Sequence, residues 1–305
     1  MIGLNTTVGE PVPEAIQPGG DLGANGRVEH RRWSSIRGAV PAIIVLGLLT
    51  IGALAGVISS SLRPGAILGG SYSADAWSEV FGDASFRRSI IFTLRSAVLA
   101  TLISLVLSIP LALLLRHRRG AITRTAISTV VPVPHLVAAS VLVVWLGPGG
   151  LFDRIGLELP IVRDGFGLGL ILVYVLKEVP FLILITHASL TDDLARREAA
   201  ARSLGARRLR RWATVTIPAI SQPLVLGSLL VAAFVVGSTE VPAVIGPLDP
   251  EALSNWSITR VRIRGPIARA DAAVALVTAS LIVLTLTTVV AIGIRWSREI
   301  RKLRR

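Results

Sequence analysis

Six long apolar stretches divide the chain, at residues 39–59, 90–115, 126–146, 167–187, 218–237 and 272–295. A helix of about 20 apolar residues is long enough to cross the roughly 30 Å hydrocarbon core of a bilayer. None of the stretches alternates between apolar and polar positions, as the strands of a transmembrane barrel do. A chain in lipid must also satisfy its own backbone hydrogen bonds, which a helix does within one segment. The pattern therefore predicts an all-α integral membrane protein with six transmembrane helices.

The two polar ends of the chain predict tails. Residues 1–38 are rich in Gly, Pro, Asn and Glu without an apolar period, so we expect a disordered cytoplasmic tail, and residues 296–305 form a basic one. The chain does not open with a basic segment followed by a short apolar one, so we expect no ordinary signal peptide. Ala53-Leu54-Ala55 resembles a cleavage pattern, but an uncleaved first helix is favoured because the leader would be long.

The distribution of basic residues predicts the orientation. With the N-terminus inside, 21 of the 32 Lys and Arg residues fall in cytoplasmic segments and nine in external loops. This asymmetry follows the positive-inside rule, and both termini are predicted to be cytoplasmic. Anionic lipid headgroups thus account for the net charge of +13, and no nucleic-acid partner is needed.

Composition removes several classes of protein. Hydrophobic residues make up 52% of the chain and charged residues only 17%, against about 25% in soluble domains. The absence of cysteine excludes disulfides, thiolate zinc sites and cysteine nucleophiles, and the four histidines (30, 117, 135 and 187) have no metal-ligand spacing. We therefore expect no cofactor and no metal.

Catalytic motifs are also absent from the sequence. It contains no phosphate-binding P-loop, no H-E-x-x-H and no G-x-S-x-G. Gly165, Gly167 and Gly169 do not match the dinucleotide fingerprint, and we expect them to ease helix packing or a turn at the membrane edge. Any uphill transport must draw its energy from an ion gradient or from a partner.

The internal loop 188–217, called the coupling loop below, predicts a short helix. Candidate N-caps are Thr191, Asp192 and Asp193, and Gly205 stops or bends the helix. A second helical stretch carries Leu209, Trp212 and Val215 among arginines, which suits the membrane interface, and Pro218 opens the next span. A basic connector lying on headgroups explains the arginines. It does not explain three consecutive alanines, Ala199 to Ala201, which suit close packing against a partner.

The loop resembles a known family. Its Glu-Ala-Ala, then Gly, then a closing Pro before a span is similar to the signature of type I ABC importer permeases, the membrane subunits of binding-protein-dependent transporters. Gly205 and Val215-Thr216-Ile217-Pro218 keep the family spacing, whereas Glu198 lies one residue, about 100° of helix, before the position of the family's Glu. The resemblance implies an ATPase-coupling role for Glu198, Ala199, Ala200, Ala201, Gly205, Ala206 and Pro218.

The similarity extends over residues 90–295, the expected permease core. Further segments resemble the iron(III)/thiamine/polyamine branch of the family: 132–139, 147–151, 178–181, 238–243 and 261–263. The resemblance implies an ABC ATPase dimer that binds the ATP, a second permease subunit, identical or sister, and an external solute-binding protein. It also implies alternating access, a bacterial-type plasma (inner) membrane, and a cargo such as iron(III), thiamine, a polyamine or a related small solute.

Charged residues inside the spans are candidates for the solute path. Lys177 and Glu178 lie near the middle of the fourth stretch, where a charge costs roughly 2.5–3.5 kcal/mol. One of them lines the path, or both are structural ties to other helices. Further path candidates at the outer end of the fifth stretch are Ser238, Thr239, Glu240 and Pro242, and Glu240 and Glu178 would attract a cationic cargo. His135 is expected to hydrogen-bond across helices.

Two rival functions remain open. An ion-gradient-driven secondary transporter would use Lys177 and Glu178 as its coupling site, but it gives no reason for the alanines before Gly205. An intramembrane enzyme would need paired Asp, a His–Glu metal set or a Ser/His arrangement at depth, and no span carries one. The sequence therefore favours a transport subunit without enzymatic activity of its own.

Overall fold

A computed structural model of the chain describes residues 23–63, 71–115 and 131–303. These residues are predominantly helical, with no β-strand among them. Six helical stretches within these ranges are long and apolar enough to span a membrane: Val40–Ser61, Ala84–Leu115, His135–Arg154, Leu168–Ser189, Arg208–Gly237 and Leu253–Ser297. The predicted all-α architecture with six spans is confirmed.

The helices in chain order are α1 (Gly23–Ser61), α2 (Asp75–Gly82), α3 (Ala84–Leu115), α4 (His135–Leu146), α5 (Leu151–Arg154), α6 (Leu168–Ser189), α7 (Asp192–Ser203), α8 (Arg208–Arg211), α9 (Ile217–Gly237), α10 (Glu240–Ile245), α11 (Leu253–Arg264) and α12 (Arg269–Leu303). A π-helical turn, Trp212–Thr216, joins α8 to α9, and a 3₁₀ turn, Gly265–Ala268, joins α11 to α12. The predicted coupling loop thus contains α7, α8 and the π-helical turn.

Contacts divide the chain into two units, Met1–Ala53 and Leu54–Arg305. In the first unit the described residues belong to α1, which begins at Gly23. The expected disordered tail 1–38 is therefore wrong for residues 23–38, while residues 1–22 lie outside the described ranges. Extending an existing helix avoids the unfavourable nucleation step, so the apolar span can propagate helix into the preceding Arg- and Glu-containing segment.

Helix α6 is the centre of the second unit. It packs against α3, α4 and α9, and 56% of its most apolar window is buried, the largest share among the six spans. Phe92, Tyr174, Leu182 and Val231 form part of this core. Side chains on α6 are therefore well placed to hold the neighbouring spans.

The predicted span boundaries differ from the structure mainly beside prolines and loops. The fourth and fifth spans match α6 and α9 within two residues. The third was predicted from 126, but α4 begins at His135, because Pro132 and Pro134 supply no backbone donors and disfavour helix before them. Residues 126–130 lie outside the described ranges.

Short helices occupy segments that the sequence predicted as external loops. α2, the beginning of α3, α11 and α12 share a second apolar cluster that includes Phe86, Leu253 and Trp256. The Trp256 indole donates to the Ser85 hydroxyl at 2.9 Å, and Arg260 pairs with Asp83. This cluster gives the predicted external side of the protein its own packed core.

Two of the three glycines around the start of α6, Gly167 and Gly169, have the packing role predicted for them, whereas a Cβ at Gly165 would meet nothing. Gly167 caps α6 with a φ of +81°, and a Cβ there would meet the Phe92 ring. Gly169 is buried and donates its N–H to the Ile161 carbonyl at 3.0 Å, and a Cβ would collide with that carbonyl. The Ile161 carbonyl and the first turn of α6 lie closer together than a side chain at position 169 would allow.

We expect Gly169→Ala to destabilise the protein by about 1–3 kcal/mol, because the obstructing group is backbone and cannot rotate away. The matched control is Gly293→Ala in α12, where a Cβ meets nothing and alanine favours helix by about 0.5–1 kcal/mol. The measurement is the thermal midpoint of the detergent-solubilised protein. Equal midpoints for the two variants would contradict the proposed close approach.

Candidate functional site

Helix α7 is defined at both ends by local hydrogen bonds. Thr191, one of the three candidate N-caps, is the cap observed: its side-chain oxygen accepts from the Leu194 N–H at 3.4 Å. At the other end Gly205 has a φ of +79°, its N–H donates to the Arg202 carbonyl, and the Ala206 N–H donates to Ala201. This pair of bonds is the Schellman ending, which favours glycine at this position. The predicted stop at Gly205 is confirmed.

The two faces of α7 differ in chemistry. Leu194 and Glu198, four residues apart on one face, are buried. Ala199 and Ala200, about 100° and 160° around the helix from Glu198, are exposed together with Arg196 and Arg197. Leu204, just beyond the helix, is 87% exposed. Ala201 and Ala206 are half-buried. The small residues predicted to receive a partner are thus divided, and Ala199 and Ala200 form the accessible part.

Glu198 points into the protein. Only 5% of its surface is exposed, and its carboxylate accepts a short hydrogen bond from the hydroxyl of Thr216, the last residue of the π-helical turn. The one-residue offset seen in the sequence therefore corresponds to a different facing direction. Glu198, predicted as a coupling residue, lies behind the exposed surface of α7.

The second half of the coupling loop continues into the fifth span. α8, the π-helical turn and α9 follow one another without a break, and Pro218 stands in the first turn of α9. A proline lacks the N–H that would bond to the preceding turn, and π-helical turns commonly absorb such irregularities. Pro218 opens the span as predicted, with its ring exposed.

Lys177 is a tie between helices. It is 4% exposed, and its ammonium donates to the carbonyls of Val131 and Val133, at 3.0 and 2.5 Å. These carbonyls belong to the proline-interrupted segment before α4, where regular helical bonding is absent. Of the two roles left open for Lys177, its geometry fits the structural tie.

Glu178 is held by the same segment. Its Oε1 lies 3.0 Å from His135 Nε2 at the start of α4, and the imidazole ring packs on Phe234 of α9 with ring centroids 4.4 Å apart. The cross-helix bond predicted for His135 is present. Lys177 and Glu178 point in different directions and together fix residues 131–135 to α6.

The remaining path candidates lie where the fifth span is interrupted. α9 ends at Gly237 and α10 begins at Glu240, which is exposed, while Ser238 and Pro242 are buried and Thr239 is half-buried. Helix α11 covers the break: the Ser254 hydroxyl donates to the Ser238 carbonyl at 2.6 Å, and the Asn255 amide reaches the Thr239 carbonyl at 3.0 Å. The break is a fixed irregularity with a carboxylate at its accessible edge.

Two residues of this arrangement were missed by the sequence analysis. Tyr174 is fully buried, and its hydroxyl lies beside that of Ser238, with neither oxygen otherwise hydrogen-bonded among the described residues. Thr216 was considered only as part of the spacing before Pro218. A tyrosine within an apolar stretch was the available signal for the first, whereas nothing local indicated the partner of the second.

Comparison with known proteins indicates the class of protein to which this chain is similar. No family model matches the chain. It is 25% identical over 214 residues to the inner membrane ABC transporter permease protein YnjC of Escherichia coli, covering 67% of this chain and 41% of YnjC. It is 27% identical over 222 residues to the molybdenum transport system permease protein ModB of Mycobacterium tuberculosis, covering 69% of this chain and 79% of ModB.

The fold agrees with that similarity. A chain of the bacterial alginate ABC transporter, solved with an alginate pentasaccharide-bound periplasmic protein, superposes with a TM-score of 0.66 at 19% identity, over 90% of this chain and 97% of that one. The chain is thus similar to ABC transporter permeases and has the fold of an ABC importer permease, a multi-pass protein of the inner membrane. Its relatives are transport permeases and not enzymes, as the sequence predicted. They do not support the iron(III)/thiamine/polyamine branch, because the relatives with a named cargo are molybdenum permeases.

We expect Lys177→Met to lower the stability of the permease by about 1–3 kcal/mol, because it leaves the part-buried carbonyls of Val131 and Val133 without their donor. Methionine matches lysine in length, so packing changes little. The thermal midpoint in detergent is measured beside that of Leu176→Met, an exposed neighbour expected to be neutral. An unchanged midpoint for Lys177→Met with loss of transport would assign Lys177 to the solute path instead.

Proposed function

We propose that this chain is the membrane-spanning subunit of an ATP-driven importer that translocates a small solute delivered by an external binding protein. The observation that carries the proposal is the division of α7 into a buried face, with Leu194 and Glu198, and an exposed face on which Ala199 and Ala200 lie beside Arg196 and Arg197. Leu194 and Glu198 fix the helix to the permease, and Ala199, Ala200 and Leu204 remain available to a partner. A connector lying only on lipid has no use for alanines on its outer face.

The proposed partner on this face is an ABC ATPase dimer, with one ATPase beneath each of two permease subunits. The sequence lacks a P-loop, so ATP belongs to the partner and this chain needs no cofactor. Alanines let backbones approach closely, and exposed Leu204 offers an apolar side chain for an acceptor groove. The alginate transporter of similar fold was solved with a periplasmic protein, which supports an external solute-binding protein as the further partner.

The proposed mechanism is alternating access. Closure of the ATPases on ATP displaces α7 of each permease, and the spans rock around a central path. The fixed break between α9 and α10, and the segment 131–135 held by α6, are irregular stretches of the kind tolerated where backbone is buried or lines a cavity. No ion-coupling site is required, because the charges of Lys177 and Glu178 are already engaged in ties.

For the cargo we propose an oxyanion of the molybdate type. The molybdenum permease ModB, 79% of which is matched, supports this class. The carboxylate of Glu178 is engaged by the His135 ring, and Glu240 is an exposed carboxylate at the break.

We expect Ala200→Glu to abolish recovery of the ATPase with the affinity-tagged permease, because it places a charge in a close-packed interface. The control is Ala213→Glu, the same change at an exposed position of the π-helical turn, outside α7. Both are co-expressed with a candidate ABC ATPase, and uptake is measured in the same cells. Normal uptake by Ala200→Glu would contradict the coupling role of α7.

We expect Glu240→Gln to leave molybdate uptake unchanged or to increase it, because the substitution removes a negative charge that repels an oxyanion. Uptake of radiolabelled molybdate and of a polyamine is compared in vesicles carrying the complete transporter. A selective loss of polyamine uptake, with no molybdate transport by the unmodified protein, would reverse the proposed cargo charge.

A further inference from the structure

We propose that the buried hydrogen bond between Glu198 and Thr216 is the link that carries movement of α7 into α9. Glu198 is then a positioning residue inside the permease, and the contact with the ATPase is made by the opposite face. The inference rests on the proposed function, and it assigns to Glu198 a role different from direct docking.

Two rows of buried side chains join α7 to the beginning of the fifth span. Leu194 and Glu198 form the row on α7, four residues apart. Thr216, Ile220 and Leu224 form the facing row at the same interval. Leu194 packs in one apolar cluster with Ile220 and Leu224, while Glu198 bonds to Thr216. Apolar and polar contacts thus fix the same two elements.

The hydrogen bond between Glu198 and Thr216 adds directionality, which the apolar contacts do not have. Apolar contacts are non-directional, so a helix held by leucines alone can slide or rotate over its neighbour. A hydrogen bond to a carboxylate requires a particular distance and angle, and it is stronger when desolvated. The bond between Glu198 and Thr216 therefore fixes the register of α7 on α9.

The covalent route between the same elements is less direct. From Glu198 the chain passes the left-handed turn at Gly205, the non-helical residues before α8 and the π-helical turn before reaching Thr216, 18 residues later. Turns of this kind can absorb a displacement. The hydrogen bond does not depend on these turns, because it joins α7 directly to Thr216, the residue immediately before α9.

The far end of α9 shows where such a displacement arrives. α9 comprises 21 residues, so it extends about 30 Å at 1.5 Å per residue. It ends at Gly237, immediately before the break that holds Ser238 and Glu240. A displacement applied at Thr216 is thus delivered along one helix to the candidate path.

The experiment removes the hydroxyl without changing the shape of the side chain. Thr216→Val is compared with Thr216→Ser, which retains the hydroxyl, and with Thr214→Val, whose exposed hydroxyl bonds only locally to the Arg210 carbonyl. Each variant is purified with its ATPase and reconstituted in proteoliposomes with the binding protein. The quantity measured is ATP hydrolysed per solute imported.

We expect Thr216→Val to retain the ATPase and its hydrolysis but to raise the ATP consumed per solute about tenfold, the scale of one lost hydrogen bond to a charged group. Thr216→Ser and Thr214→Val should match the unmodified transporter. If Thr216→Val does not accumulate, the double substitution Glu198→Leu with Thr216→Val removes the carboxylate together with the hydroxyl and is expected to assemble with the same raised ratio.

Two results would overturn the inference. One is an unchanged ratio in both Thr216→Val and the double variant. The other is selective loss of the ATPase on purification of Thr216→Val, since the link would then belong to the docking surface. Failure of the proposed function is distinguishable, because it appears in the unmodified protein as no ATPase recovered or as import without ATP.

Discussion

The requirement that every backbone polar group within a bilayer have a partner governs this structure. Regular helix meets the requirement over most of each span, so the informative places are those where helix is interrupted. Before α4, two prolines interrupt it, and Lys177 donates to the carbonyls of Val131 and Val133. After α9, Ser254 donates to the Ser238 carbonyl. The interruptions persist because side chains of neighbouring helices replace the missing backbone bonds.

The same requirement changes how charges inside a span are understood. A lysine and a glutamate in the middle of an apolar stretch first indicate a solute or ion path. Here both engage residues 131–135, one through backbone carbonyls and the other through His135. The free-energy cost of removing Lys177 and Glu178 from water is offset by these hydrogen bonds. The irregular segment needs the bonds because regular helical bonding is absent there. The exposed Glu240, which begins α10 at the second interruption, is the carboxylate left in a position to meet a solute.

The sequence predicted the elements of this protein better than the directions in which its side chains point. Apolar length alone identified the six spans, because burial in lipid imposes one structure on any such stretch. The Schellman ending at Gly205 was predictable for the same reason, being local. Residues 23–38 were wrongly predicted as disordered, because composition does not show that an adjacent span will propagate helix. The partner of Glu198 could not be predicted from the sequence, since Thr216 lies 18 residues away across two turns.

The two faces of α7 explain why its sequence is neither an ordinary amphipathic connector nor a uniform docking patch. A helix that only lay on headgroups would bury leucine and expose arginine, and α7 does both, at Leu194 and at Arg196 and Arg197, but it also exposes Ala199 and Ala200. A helix that only bound a partner would not need a buried carboxylate, because burying one is costly unless it is hydrogen-bonded. The Thr216 hydroxyl donates to the buried Glu198 carboxylate, and this places a directional contact behind the exposed Ala199 and Ala200. In the proposed mechanism, a load applied to the alanines therefore meets a helix that resists rotation, and the first element to move with it is α9.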